Sequence, residues 1–103
     1  MAHRLAPQAR AELSNIWNYI ARESGNAAVA GGVIDAITER FRLLAQYPRM
    51  GRPRDDLRPG LRSFPVGQYV IIYTIDDDDV QILHVLHGRQ DIEGRLDQAP
   101  TIP

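Results

Sequence analysis

Residues 48–62 separate two parts of the chain that differ in the spacing of their apolar residues. The segment contains five arginines and three prolines. Before it, apolar residues recur at intervals of three and four, which is typical of amphipathic helices. After it, β-branched and aromatic residues follow one another in short runs, which is typical of strands. This order favours an α+β domain in which helices pack on a sheet.

Two helices are predicted before the segment, over residues 7–24 and 27–46. A glycine and an asparagine between them supply a helix end and a helix start, so an antiparallel helical hairpin is expected. In the first helix Glu12 is placed on the polar face, and Trp17 is interpreted as a core residue. The apolar stripe of that helix consists of Ala9, Leu13, Ile16, Trp17 and Ile20.

Four strands are predicted, at residues 4–6, 61–66, 69–75 and 80–87. The four consecutive aspartates at residues 76–79 suit a hairpin loop. A calcium loop needs alternating ligands and a glycine pivot, which this run lacks. Both faces of the last two strands are largely apolar. The helical hairpin would cover one face, and the chain offers little to cover the other, which points to a partner.

The fold class predicted from these elements is α+β, with a short N-terminal strand and an antiparallel helical hairpin packed on an antiparallel β-sheet. The length of 103 residues suits one domain, placed at residues 1–96. Residues 97–103 are polar and proline-containing, and a flexible C-terminal tail is expected there. A short helical turn is expected at residues 91–93.

The composition excludes several kinds of chemistry. The chain has no cysteine, so disulfides, thiolate catalysis and cysteine zinc sites are ruled out. All twelve basic residues are arginine, which rules out a lysine base or a P-loop lysine. No nucleophile motif, phosphate-binding glycine loop or metal-ligand set is found, so no cofactor and no metal are predicted. Apolar runs fall short of the roughly 20 residues that span a bilayer, and a cytoplasmic location is the expectation.

The arginines are concentrated in the middle of the chain. Residues 36–75 carry seven arginines against three acidic residues, a net charge of +4, whereas residues 76–103 have a net charge of −5. A segment folded across the sheet edge would gather these arginines into a surface for nucleic acid or for carboxylates of a protein. The alternative interpretation is that these arginines only keep the loop soluble and bind nothing. His87, at the end of the last strand, is a candidate for acid–base chemistry or recognition.

Four stretches of the chain, at residues 9–21, 44–54, 60–73 and 82–92, resemble the motifs of one known family in the same order. The first of them resembles the first helix of that family. By these motifs the sequence resembles ParE-type toxins of the RelE/ParE toxin–antitoxin superfamily. Together they cover nearly the whole of residues 5–93. The chain departs from the pattern at Ala6, where a serine cap is usual, and at Gln90, where an arginine is common.

The resemblance implies the toxin of a type II toxin–antitoxin pair, neutralised by a ParD-like antitoxin in a heteromeric complex. ParE-like toxins poison DNA gyrase and block replication, whereas RelE-like relatives cut messenger RNA on the ribosome, and both share one fold. The absence of lysine and the acidic C-terminal third favour a gyrase poison that is not an enzyme. We expect no membrane association and no sequence-specific nucleic-acid binding by the toxin alone.

Two alternatives stay open: a ribosome-dependent nuclease, and a degenerate member that only binds antitoxin. A nuclease would use Arg62, His87 and Arg89 as catalytic residues. The residues predicted to bind the target are Arg52, Arg54, Arg58, Arg62, His87 and Arg89. Those predicted to bind the antitoxin are Val33, Ile37, Phe41, Tyr69, Ile71 and Tyr73.

Overall fold

The computed structural model describes residues 2–88, in which two helices pack on one five-stranded sheet. The expected tail at residues 97–103 and the expected turn at residues 91–93 lie outside the described residues. The helices are α1 (Pro7–Ser24) and α2 (Ala27–Gln46), and a 3₁₀ turn follows at Pro48–Met50. The strands are β1 (His3–Leu5), β2 (Arg52–Pro53), β3 (Arg62–Val66), β4 (Tyr69–Asp76) and β5 (Asp79–His87).

The sheet has the order β1-β5-β4-β3-β2. Strands β2 to β5 pair antiparallel, whereas β1 runs parallel to β5 and places His3 beside Val80. The predicted α+β fold with a helical hairpin on a sheet is therefore confirmed. The sheet is mixed because β1 pairs in parallel with the free edge of β5.

The helical hairpin forms where local signals predicted it. Ala6 makes no side-chain cap for α1, as its methyl group dictates, and α1 begins with Pro7 at a position where proline is tolerated. Gly25 ends α1 in the left-handed conformation with φ 66°. The Asn26 side chain then accepts a 2.8 Å hydrogen bond from the Ala28 amide and starts α2.

The buried face of α1 differs from the predicted one. Its buried residues are Ala9 and Glu12, whereas Trp17 is 38% exposed. The predictions that Glu12 faces outward and that Trp17 is a core residue were wrong. Glu12 lies three residues after Ala9 and four before Ile16, so the line of contact with the sheet passes over it, and Trp17 lies at the margin of that line.

The main core lies between the hairpin and the sheet. Its buried residues are Ala9, Ile37, Phe41, Leu44, Ile71, Tyr73, Val80, Ile82 and Val85. Since side chains alternate along β4, Ile72 faces the opposite side, where it packs with Leu61, Leu57, Val70 and Leu83. The expectation that the chain offers little to cover this second face holds only in part, because Leu57 and Leu61 of the segment after α2 cover some of it.

Two irregularities shape the β4–β5 pair. Tyr73 pairs with Ile82 but Ile72 pairs with His84, so β5 contains one extra residue and bulges. At the other end of the pair, Asp77 and Asp78 have φ values of 51° and 70° and form a tight two-residue turn. The predicted hairpin loop at residues 76–79 is confirmed.

Candidate functional site

The segment that follows α2 runs along the free edge of the sheet. After the 3₁₀ turn, β2 pairs with β3 so that Arg52 lies opposite Ser63. Residues 49–62, which form and flank β2, carry five arginines and two aspartates, and we call them the basic edge. Its exposed arginines are Arg49, Arg52 and Arg58.

Arg54 is engaged within the basic edge itself. Its Nε and one terminal nitrogen donate to the two carboxylate oxygens of Asp56 at 3.0 and 3.1 Å. These hydrogen bonds hold the pKa of the exposed Asp56 carboxyl below its usual value. The Gly60 amide donates to the Asp55 carboxylate at 2.9 Å, which closes the same loop. The loop therefore has defined internal geometry, and Arg54 is less available to a partner than Arg52.

Tyr73 and Arg62 fasten the start of this segment to the sheet. The buried Tyr73 hydroxyl donates to the Pro48 carbonyl at 2.7 Å and accepts from the Gly51 amide at 2.9 Å. Arg62, opposite Tyr73 in the β3–β4 pair, donates to the carbonyls of Gly51 at 3.2 Å and Arg49 at 3.3 Å. Burial raises the pKa of Tyr73, so its hydroxyl stays protonated and able to donate further into the alkaline range than an exposed tyrosine. We call this set the Tyr73 contact.

Gly51 makes the Tyr73 contact possible because it has no side chain. A Cβ at this position would overlap the Tyr73 hydroxyl and lie 2.9 Å from the Ser63 carbonyl oxygen. No side chain fits there without displacing the ring of Tyr73 or the backbone of β3. The glycine before β2 is therefore required for close approach of the segment to the sheet.

A cleft of about 460 Å³ opens between the middle of α1, the start of β4 and the end of β5. The rings of Tyr69 and His87, both in its lining, meet edge to face with centroids 5.5 Å apart. Burial, and then the nearby Tyr19, raise the pKa of Tyr69. We call this cleft the aromatic cleft, and its lining includes Asn15, Ile16, Tyr19, Gln68, Tyr69 and His87.

A buried carboxylate forms the base of the aromatic cleft. Glu12 Oε1 accepts a 2.8 Å hydrogen bond from the Val85 amide, and Oε2 lies 3.1 Å from His84 Nδ1. The side chains of Glu12 and His84 are each 7% exposed. We call this set the Glu12 contact. The sequence analysis missed it, although the spacing of Glu12 from Ala9 and Ile16 was the signal that could have revealed it.

The residues predicted to bind a target are only partly brought together. Arg52 and Arg58 are exposed on the basic edge, whereas Arg62 is turned onto the backbone carbonyls of Gly51 and Arg49. Four residues along the strands and two strand spacings separate Arg62 from His87, which puts their Cα atoms roughly 16 Å apart. Arg89 lies outside the described residues.

The residues predicted to bind an antitoxin fall into two groups. Ile37, Phe41, Ile71 and Tyr73 are at most 1% exposed and belong to the main core of the isolated chain. A groove bordered by these four side chains is thus not present in the isolated chain, because the helical hairpin packs directly on the sheet. Val33 and Tyr69 are half-buried and reach the surface. Contact of the six residues with an antitoxin stays a prediction.

Residues 2–88 contain no group of three His, Asp or Glu side chains suited to a metal ion. The helices of this described part are also too short or too polar to cross a lipid bilayer. The basic edge offers guanidinium and carboxylate groups, and the aromatic cleft offers aromatic rings, an imidazole and amide groups.

Comparison with known proteins identifies the family. A family model described as the ParE toxin of the type II toxin–antitoxin system parDE matches residues 4–92. The chain belongs to the ParE toxin family. The family prediction made from the motifs is confirmed, as is the RelE/ParE-like fold.

Relatives of this ParE-family chain include curated toxins and solved structures. It is 39% identical over 74 residues to toxin ParE3 of Caulobacter vibrioides, covering 72% of this chain and 74% of ParE3. It is 30% identical to toxin ParE1 of the same organism, over 91% of this chain and 96% of that toxin.

Two solved structures share the fold. The chromosomal ParDE toxin–antitoxin system from P. aeruginosa matches with a TM-score of 0.74 and 21% identity, over 84% of this chain and 95% of that chain. The RelBE2 toxin–antitoxin complex from Mycobacterium tuberculosis matches with a TM-score of 0.57 and 27% identity, over the same shares of the two chains.

Proposed function

We propose that this ParE-family chain inhibits DNA gyrase by binding it through the basic edge, without catalysing a reaction. This proposal rests on the positions of the side chains that could cut RNA. Cleavage through a 2′-hydroxyl needs an acid, a base and cations within hydrogen-bond reach of one phosphate. Arg62 is engaged with backbone carbonyls, and its Cα lies roughly 16 Å from that of His87. Among residues 2–88 these candidates do not converge on a common point.

The basic edge suits a protein target. Its guanidinium groups lie on an outer strand whose position is fixed by the sheet, and guanidinium forks pair well with carboxylates. Arg52 and Arg58 are exposed there. Arg54 is half-buried and paired with Asp56. Binding that depends on such surface charges weakens as salt is added, because screening shortens the range of the attraction.

A ParD-like antitoxin is the proposed partner of the aromatic cleft. Two solved structures of similar fold come from a toxin–antitoxin system and a toxin–antitoxin complex, which supports a partner of this kind. Tyr19 is 60% exposed beside the cleft, and tyrosine is a frequent anchor of protein interfaces. An apolar side chain of an antitoxin segment would contact Ile16, Tyr19 and Tyr69. The toxin and antitoxin would then form a heteromeric complex.

Purified gyrase with supercoiled plasmid and ATP tests the target. Linear DNA should accumulate with added toxin once detergent and protease have released the gyrase, and an excess of antitoxin should prevent it. The contrary result is messenger RNA cut in a translating extract while gyrase is unaffected. A ribosome-dependent nuclease of the RelE type would then replace the proposed function.

A charge-matched pair of variants tests the basic edge. Arg52→Ala with Arg58→Ala should raise the toxin concentration needed for linear DNA by about tenfold, as expected for lost interface charge pairs. Arg10→Ala with Arg22→Ala removes two exposed arginines from α1 and should leave that concentration unchanged. Equal effects of the two double variants would show that net charge matters and that the basic edge does not.

A further inference from the structure

A second groove lies between the 3₁₀ turn and the turn that joins β4 to β5. It is at the opposite end of β4 from the aromatic cleft, since Ile75 lines this groove and Tyr69 lines the cleft. It encloses about 400 Å³, and its lining includes Tyr47, Pro48, Arg49, Met50, Ile75 and Asp78. We call it the turn groove. It shares Arg49 and Met50 with the basic edge, so the two surfaces are continuous.

The turn groove exposes apolar side chains that the fold does not use. Tyr47 is 61% exposed and Met50 is 40% exposed, and both are among the large apolar residues left at the surface. Tyrosine, methionine and arginine are enriched at protein interfaces, and all three types meet here. An exposed apolar cluster bordered by charge is typical of a surface that binds another molecule.

The backbone that carries these side chains is held in place before any partner binds. The Tyr47 amide donates to the Leu43 carbonyl at 2.8 Å, and the Met50 amide donates to the Tyr47 carbonyl at 2.9 Å. The Tyr73 contact holds Pro48, which follows Tyr47, and Gly51, which follows Met50. Binding to a segment fixed in this way loses little conformational entropy, which favours affinity.

Charges of both signs border the turn groove. Arg49 lies on one rim, and Asp78 lies on the other, within the run of four aspartates at residues 76–79. Asp76 is paired with Arg4 at 3.4 Å, and the Asp79 carboxylate accepts from the Ala2 amide at 3.0 Å. The acidic rim repels phosphates, so a nucleic acid is disfavoured as the occupant.

We propose that the turn groove binds the protein on which the toxin acts, and that it extends the target surface beyond the arginines. Its occupant is a protein segment with an apolar side chain between Tyr47 and Met50, a carboxylate facing Arg49 and a cationic group facing Asp78. This inference rests on the proposed function, since it assumes that the target is a protein and that the antitoxin occupies the aromatic cleft.

Removing the two apolar side chains tests the groove. In the gyrase assay, Tyr47→Ala with Met50→Ala should raise the toxin concentration needed for linear DNA at least about tenfold, as truncated interface anchors do. Antitoxin affinity and Tm should be unchanged, because both side chains are exposed. Val29→Ala, which removes an exposed apolar side chain from α2, serves as the control and should change none of these quantities. Unaltered gyrase poisoning, or lost antitoxin affinity, by the double variant would overturn the inference.

Asp78→Gly distinguishes a protein from a nucleic acid in the groove. Glycine adopts the φ of 70° at this position readily, so the hairpin is preserved. A protein segment with a cationic group should bind about three- to tenfold more weakly, since one interface charge pair is lost. A nucleic acid would instead bind more tightly once a negative charge is removed. Unchanged or stronger toxin action would overturn the proposed occupant.

Growth arrest on induced expression separates failure of this inference from failure of the gyrase proposal. If the wild-type chain arrests growth but yields no linear DNA with gyrase, the gyrase proposal fails. The groove is then supported if Tyr47→Ala with Met50→Ala abolishes growth arrest while antitoxin is still bound. It is overturned if that variant arrests growth as the wild type does.

Discussion

The Glu12 contact and the Tyr73 contact have the same structural role in two regions of the molecule. In each, one buried side chain holds backbone that is distant in sequence. Glu12 reaches from α1 to the Val85 amide of β5, whereas Tyr73 reaches from β4 to the 3₁₀ turn before β2. The first depends on a carboxylate paired with His84, and the second on a neutral hydroxyl.

The difference between the two contacts lies in what each one supports. The Glu12 contact joins α1 to the sheet within the main core. Its loss therefore leaves buried polar groups without hydrogen-bond partners at the helix–sheet interface. The Tyr73 contact holds a surface segment, and its loss frees that segment while the core persists. The aromatic cleft should therefore be sensitive to global stability, and the turn groove to local order.

Glu12→Ala should cause the largest loss of stability. It removes the acceptor of the Val85 amide and the partner of His84, both buried, and we expect the free energy of unfolding to fall by about 3 kcal/mol. Urea denaturation measures it. Glu12→Gln retains an acceptor oxygen for Val85 and should lose less. A loss from Glu12→Ala no larger than that from Tyr73→Phe would refute the contrast drawn between the two contacts.

Tyr73→Phe should lower the free energy of unfolding by about 1.5 kcal/mol, because the buried Gly51 amide loses its acceptor. The effect should be local. Hydrogen exchange followed by NMR should show faster exchange at Gly51 and unchanged exchange at Val85. Tyr47→Phe removes an exposed hydroxyl and should alter stability by less than about 0.5 kcal/mol. Equal acceleration at Gly51 and Val85 would mean that the segment and the core open together.

Asp78→Gly should stabilise the chain, by about 0.5 to 1 kcal/mol. Its φ of 70° is strained for a residue with a Cβ and ordinary for glycine. The gain should appear as a higher urea midpoint. Asp76→Gly, in the extended strand beside the turn, serves as the control and should stabilise nothing. A destabilising effect of Asp78→Gly would show that the carboxylate holds the turn by contacts of its own.

Alkaline pH should also weaken the Tyr73 contact, with a smaller effect on stability than the substitutions above. Burial raises the pKa of Tyr73 in the folded chain above its unfolded value of about 10. The stability that the hydroxyl contributes is therefore complete below about pH 10 and is lost as pH rises through the folded pKa. The difference in unfolding free energy between wild type and Tyr73→Phe should shrink over that range. Tyr69, whose pKa is also raised, is present in both chains and cancels.

The elements that depend on local signals were predicted from the sequence to within one residue. Both helices were placed correctly because Pro7, Gly25 and Pro48 mark their ends. The pairing of β1 with β5 and the existence of β2 were not predicted, because they depend on residues far apart in the chain. A strand of two residues carries no periodicity to read.

The site was less predictable than the fold, because its side chains form hydrogen bonds with groups that are distant in the sequence. Glu12 was read as a solvent-facing residue because its partners, His84 and the Val85 amide, lie 72 and 73 residues away in the chain. Arg62 was expected to face a target, yet it holds the carbonyls of Arg49 and Gly51. The sequence identified the arginines as a group. Only the structure distinguishes an arginine that holds the backbone, such as Arg62, from one that is exposed, such as Arg52.

The parallel pairing of β1 with β5 has a consequence for synthesis of the protein. His3 cannot meet Val80 until nearly the whole described chain has left the ribosome, and such distant contacts form slowly. The helical hairpin is complete long before this, but it has no sheet on which to pack. A nascent chain therefore remains incompletely folded until β5 emerges, and its apolar hairpin face stays exposed during that interval.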